Sequence, residues 1–316
     1  MSGKKTKVFI DGKEGTTGLR IAGRLAGRGD LELLSIPEEK RKDLAARSSL
    51  INASDITILC LPDGAARESV SLVENPAVRI IDASTAHRTQ SGWSYGFPEL
   101  SPAHRRAVTT GKRVAVPGCH ASGFIALAYP LVQAGLVDEA YPFVAYSVTG
   151  YSGGGKKMIA EYEAAERKTA LDSPRQYALS QSHKHLPEMR KIPGLSQDPV
   201  FSPIVADFYS GMAVTVPLFS HLMRKRLTPE QLWEVFAQHY AGQKLVTLAP
   251  PGEPADGFLA ANALAGSDRM EIVISGNPER PLLAARFDNL GKGASGAAVQ
   301  CLNLMTGQEE TTGLTL

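Results

Sequence analysis

At 316 residues the chain is long enough for two hydrophobic cores, and 43% hydrophobic with 21% charged residues is the composition of a soluble globular protein. A net charge of +2, with no basic block longer than Lys40-Arg41-Lys42, leaves no footprint for nucleic acid, and no apolar stretch approaches the ~18 residues that span a membrane. Cys60, Cys119 and Cys301 lie too far apart in sequence for a disulfide framework or a metal cluster, which suits a reducing cytosol.

Met1-Ser2-Gly3-Lys4-Lys5 shows no signal-type apolar region and leads into a strand over Thr6 to Ile10. The strand meets a turn with Gly12, Gly15 and Gly18. Leu19, Ile21, Ala22, Leu25 and Ala26 then repeat at helical spacing. Strand, glycine-rich turn, helix is the setting of a dinucleotide fingerprint, spaced here G-x-x-G-x-x-G. Gly12 and Gly15 let the backbone approach a pyrophosphate, beside Thr16 and Thr17, and Gly18 lets the helix pack closely. An ordinary turn with incidental glycines is the alternative.

The second strand, Leu31 to Ile36, ends in Ser35-Ile36-Pro37 rather than in an acidic residue for a ribose hydroxyl. Ser35 with one of Lys40, Arg41 or Lys42 suits a 2′-phosphate and points to NADP(H); the same charges also suit a solvated helix start. Asp55 to Pro62 reads as a doubly buried parallel strand with Cys60 in the core. A helix from Asp63 to Val73 and a strand from Val78 to Ile81 continue a doubly wound α/β pattern. Arg88, just past that strand, is placed to clamp a phosphate or carboxylate. Tyr95 to Leu100 reads as a loop.

Val114-Ala115-Val116-Pro117-Gly118 then ends a strand, and Cys119-His120-Ala121-Ser122-Gly123 opens a long apolar helix. A thiol at a helix start is biased toward the thiolate, and the backbone N–H groups there suit an oxyanion. A buried, inert thiol is the competing reading. The Val144 to Val148 strand ends in a glycine-rich connection through Ser152, Gly153 and Lys156, which brings backbone amides near a substrate; Met158 to Lys168 reads as a helix. Of His183 and His185, one beside a catalytic thiolate would move its proton, with Glu188 fixing the imidazole. No third ligand at metal spacing accompanies them. Val200 to Leu218, Met270 to Ile274 and Leu282 to Phe287 supply the strands of a second sheet, with a helix from Thr228 to about Ala241 between them. Asp288 to Met305 reads as one small-residue helix, with Asn289 at its start placed to touch the cofactor.

Together the Tyr95 to Leu100 motif, Pro117-Gly118-Cys119, Gly150 to Lys156, His183-Lys184-His185-Leu186-Pro187-Glu188 and Asp288 to Met305 resemble the shorter subtype of the N-acetyl-gamma-glutamyl-phosphate reductase family, relatives of aspartate-semialdehyde dehydrogenase. Val116 stands where that family often has Asn, and His120 where it has Tyr. The resemblance implies a Rossmann-like domain over 1–117, completed by a C-terminal helix within 288–316, and an α+β substrate domain over 118–287. It implies a cytoplasmic homo-oligomer, dimer or tetramer. It implies NADPH-dependent reduction of N-acetyl-glutamyl phosphate through a Cys119 thioester. His185 is then the general acid/base, with His183 the alternative, and Arg88 and Lys156 bind anionic groups. Another phosphorylating semialdehyde dehydrogenase, acting on aspartyl phosphate or a triose phosphate, and a non-catalytic nucleotide sensor are the competing readings.

Overall fold

The computed structural model describes residues 5–316; the polar Met1-Ser2-Gly3-Lys4 stretch lies outside the described residues. The chain divides into two compact units, one running to Pro117 and taking back Ala294–Leu314, the other Gly118–Gly293 with Thr315–Leu316.

In chain order the first unit has β1 (Thr6–Asp11), α1 (Thr16–Leu25), β2 (Leu31–Leu34), α2 (Leu44–Ala53), β3 (Ile56–Leu59), α3 (Asp63–Ser71), β4 (Arg79–Asp82), β5 (Ser94–Tyr95), α4 (Pro102–Thr110) and β6 (Arg113–Ala115). Its six strands are all parallel, in the order β2-β1-β3-β4-β6-β5. Ile56, Ile58, Leu59, Ile80 and Ile81 are fully buried, as a sheet covered on both faces requires. From β1 the chain steps to β2 on one side and to β3 on the other, so the crevice past the carboxyl ends of these strands is a topological switch point.

The second unit has α5 (Cys119–Gln133), β7 (Val144–Gly150), α6 (Gly155–Tyr162), β8 (Arg175–Gln176), α7 (Leu186–Lys191), β9 (Val200–Ala206), β10 (Met212–Pro217), α8 (Pro229–His239), β11 (Val246–Leu248), β12 (Met270–Asn277) and β13 (Arg280–Phe287). Its seven strands run β11-β12-β13-β10-β7-β9-β8, mixed in direction. The buried helix α5 lies against β10 and β13. Thr228 caps α8 through a full capping box, as its Thr-Pro-Glu-Gln start predicts.

Four local readings change. Cys60 lies one residue beyond β3 and is only half-buried, not inside a strand. Tyr95–Leu100 is not a plain loop: β5 joins the sheet edge, and the buried Glu99 carboxylate accepts from Gln300 Nε2 at 2.8 Å. The helix expected over Met158 to Lys168 is α6, which starts at Gly155 and ends at Tyr162, where the Tyr162 carbonyl accepts from Arg167 at 3.2 Å. Asp288 and Asn289 precede the last helix. The Asp288 carboxylate takes the Leu290 N–H at 2.7 Å and the Gly266 N–H at 2.6 Å, which holds this stretch in a turn. Gly291–Ser295 then winds a π-helical turn before α9 (Gly296–Thr306), which packs in the first unit against α4, α1 and β4.

Candidate active site

In the first unit, the carboxyl ends of β1, β2 and β3 border a cavity of about 520 Å³ lined by Gly12, Gly15, Ser35, Arg41, Lys42 and Cys60 among others. Its shape depends on two glycines. Gly12 has φ +85°, and a Cβ there would stand 2.4 Å from the Cys60 carbonyl oxygen. A Cβ on Gly18 would stand 2.5 Å from the Gly12 carbonyl oxygen, so no side chain fits between α1 and the turn. Gly15 is the N-cap of α1 and has no side chain to close the helix start, leaving the N–H groups of the first turn, beginning with Thr16 and Thr17, for an anion. Ser35, exposed at the end of β2, and Arg41 and Lys42 supply polar and positive groups along another part of the lining. These features fit a dinucleotide: a bare helix start for a pyrophosphate and a basic rim for a further phosphate.

Asp11, at the end of β1, is buried and paired with Arg47 at 3.1 Å. Burial, followed by the nearby Asp82 and Asp11 charges, pushes the Cys60 thiol up to about 12, which makes it inert. Arg88 is half-buried. Its Nε donates to the Val116 carbonyl at 2.9 Å and Nη2 to the Ala83 carbonyl at 3.2 Å, so part of the guanidinium braces the strand ends.

In the second unit Cys119 is the first residue of α5, half-buried, with Gly118 as N-cap and no side-chain cap. The Glu188 carboxylate accepts the Gly118 N–H at 3.1 Å and so ties α7 to the cysteine turn. A Cβ on Gly293, in the π-helical turn, would stand 2.9 Å from Cys119 Cβ, so this glycine lets the turn close against the cysteine. His185 is the buried N-cap of α7, and its backbone N–H donates to His183 Nδ1 at 3.1 Å. The two rings meet edge-on with centroids 4.6 Å apart. His120 completes the group, 5.5 Å from the His183 ring and 5.7 Å from the His185 ring.

Ser152 and Gly153 form a short turn after β7. Asn289 Nδ2 donates to Ser152 Oγ at 3.1 Å, and its Oδ1 accepts the Gly211 N–H at 2.9 Å. The Asn289 amide thus fixes the glycine-rich connection within the second unit. Lys156 is exposed near the start of α6. The structure brings together Cys119, His183, His185 and Glu188. It adds His120, Ser147 and Tyr177, which the sequence reading did not select; the position of His120 next to Cys119 was the one available signal. No cluster of His, Cys, Asp and Glu among the described residues is arranged to hold a metal ion. No helix among them is long and apolar enough to cross a membrane.

A strand-to-helix turn with a cysteine on the first helical residue, tied by Glu188 to the segment that carries two histidines, and a dinucleotide-type crevice in the first unit fit a semialdehyde dehydrogenase architecture. Sequence models agree: the semialdehyde dehydrogenase NAD binding domain matches residues 7–108, and the semialdehyde dehydrogenase dimerisation domain matches residues 119–289. Among solved structures, aspartate semialdehyde dehydrogenase II from Vibrio cholerae superposes with a TM-score of 0.71 at 16% identity, covering 96% of this chain and 99% of that one. The NADP-bound aspartate semialdehyde dehydrogenase from Candida albicans superposes at 0.65 with 13% identity, covering 96% and 99%. Curated relatives are much nearer in sequence. N-acetyl-gamma-glutamyl-phosphate reductase 2 from Nostoc sp. is 46% identical, covering 98% of this chain and 99% of its own, and the reductase from Rhizobium meliloti is 48% identical, covering 95% and 99%. The chain belongs to the N-acetyl-gamma-glutamyl-phosphate reductase family.

Proposed function

We propose that the protein catalyses the NADPH-dependent reduction of N-acetyl-L-glutamyl 5-phosphate to N-acetyl-L-glutamate 5-semialdehyde and phosphate, a step of arginine biosynthesis. The observation that carries the reading is Cys119 on the first turn of α5 with His183 and His185 grouped beside it. The helix N-terminus favours the thiolate. Cys119 attacks the acyl carbon, the bond from that carbon to the phosphate oxygen breaks, and a thioester forms on the sulfur. His185, with His183 as alternative, takes the thiol proton and returns it to the departing phosphate. NADPH, when bound, supplies the hydride that reduces the acyl group. Cleavage of the bond from carbon to Cys119 sulfur then frees the aldehyde.

Gly12, Gly15, Thr16, Thr17 and Gly18 hold the pyrophosphate, and Ser35 with Arg41 or Lys42 takes the 2′-phosphate. Asn289 touches the cofactor, and its amide also holds Ser152 and Gly211 in place. Ser152, Gly153, Lys156 and Arg88 bind the anionic substrate, and Glu188 fixes the cysteine turn together with the histidine segment. The protein works in the cytoplasm, where Cys60, Cys119 and Cys301 stay as thiols. It assembles as a homo-oligomer, dimer or tetramer. In support, α5 covers only one face of the second sheet. The other face carries Tyr146 and Thr215 beside an open hollow of about 670 Å³.

The test measures NADPH formation with phosphate and either N-acetyl-glutamate semialdehyde or aspartate semialdehyde. Preference for the first supports the assignment; preference for the second moves it to another acyl phosphate. NADP binding with no turnover of either substrate supports a sensor. Sedimentation of the full chain as a monomer at micromolar concentration would refute the homo-oligomer.

A further inference from the structure

Three side chains have no part in the reaction scheme: His120, next to Cys119 on α5, and its two partners Ser147 and Tyr177. They form one hydrogen-bonded chain. Ser147 Oγ lies 2.8 Å from His120 Nδ1, and Tyr177 Oη lies 2.7 Å from His120 Nε2. Burial, aided by the positive charges of His183 and Lys184, pushes His120 down to about 3. The ring is therefore neutral at neutral pH, so one of its nitrogens donates and the other accepts.

Ser147 decides which. Its hydroxyl is fully buried on β7, with His120 Nδ1 as its hydrogen-bond partner among the described residues. A hydroxyl proton buried without an acceptor is costly, so Ser147 gives its proton to Nδ1. The ring proton then sits on Nε2 and is donated to Tyr177 Oη. That leaves the phenol's own proton directed away from His120. Burial, then the charge of Cys119, pushes the Tyr177 phenol above its usual range, so it keeps the proton. Its ring lies 6.1 Å from that of His120 and 5.9 Å from that of His183, which places the phenol in the group of rings at the start of α5.

We propose that Tyr177 presents its hydroxyl proton to the Cys119 sulfur and holds it as the thiolate, with His120 and Ser147 as the positioning residues that turn the phenol toward it. This rests on the reading of Cys119 as the nucleophile. Other titratable groups lie on the segments that meet the start of α5: His183, Lys184 and His185 before α7, Glu188 of α7, whose carboxylate takes the Gly118 N–H, and Lys292, next to Gly293 in the π-helical turn. The experiment must therefore separate Tyr177 from them.

The measurement is the pH dependence of Cys119 alkylation by iodoacetamide, followed by mass on the Cys119 peptide, in the full chain without substrate or cofactor. Wild type, Tyr177→Phe and Ser147→Ala are compared, and thermal melts check folding. In Tyr177→Phe the midpoint is expected to rise by roughly one to two pH units, the size of a hydrogen bond to a charged group. In Ser147→Ala the ring loses its fixed tautomer, and the midpoint rises by about one unit or less. Unchanged midpoints in both variants would overturn the proposal and leave the nucleophile standing. If Tyr177→Phe does not fold, Ser147→Ala decides. A wild-type Cys119 that titrates like an ordinary thiol would instead remove the nucleophile reading, and this proposal with it.

Discussion

Two strand-to-helix turns in this chain are built alike and serve different chemistry. Gly15 caps α1 and Gly118 caps α5, and neither helix start has a side-chain cap. At α1 the turn is emptied: a Cβ on Gly12 or Gly18 would overlap backbone atoms, and the N–H groups face an open cavity of about 520 Å³. At α5 the turn is loaded. Cys119 occupies the first helical position, Glu188 ties down the Gly118 N–H, and Gly293 packs on the cysteine Cβ. The same partial positive charge at a helix start serves to bind a phosphate in one case and to stabilise a thiolate in the other. The two cysteines near these turns make the same contrast. Burial, and after it the Asp82 and Asp11 charges, pushes Cys60 up to about 12, whereas Cys119 has a helix N-terminus.

The strongest test of that division of labour is Cys119→Ala. Turnover should fall by about 10⁶, the scale seen when a nucleophile is removed, while NADP binding measured by fluorescence titration stays at the wild-type level. Activity surviving at a tenth of wild type would end the assignment. Gly12→Ala should do the reverse. The φ of +85° and the 2.4 Å approach to the Cys60 carbonyl make alanine cost roughly 2–4 kcal/mol, read from urea unfolding, and NADP binding should weaken while Cys119 still alkylates normally. A stable variant with normal NADP affinity would show that the turn tolerates bulk.

Acid should expose the buried histidine. His120 is lowered from the usual 6.5 to about 3, so on acidification the unfolded chain takes up the proton before the folded chain does. Its contribution is therefore fully present above pH 6.5 and is lost as pH falls toward 3. Wild-type stability should drop by roughly 2–3 kcal/mol from this group between pH 6.5 and 4.5, and His120→Gln should flatten that slope; parallel slopes would refute the assignment. Replacing Arg41 and Lys42 by alanine should lower the preference for NADPH over NADH by about 10–100-fold, measured as a kcat/KM ratio. An unchanged ratio would move the 2′-phosphate elsewhere. Smallest of all, Cys60→Ala should leave kcat within about twofold, because its thiol is inert at neutral pH.

The glycine spacing after β1, the apolar parallel strands and the cysteine at the end of β6 are local patterns, so the sequence by itself determined the Rossmann-like sheet, the cofactor turn and the position of Cys119. Strand and helix periods need only near neighbours, and a thiol at a strand-to-helix turn is visible in ten consecutive residues. What the tertiary structure decided depends on residues far apart in sequence. The turn before α9 is held by the Asp288 carboxylate, which takes the Gly266 N–H from 22 residues back. Asn289 turned out to brace Ser152 and Gly211. The neutral Ser147–His120–Tyr177 chain joins three segments. Its proton order depends on burial and on which buried hydroxyl lacks another acceptor, neither of which any local sequence pattern records.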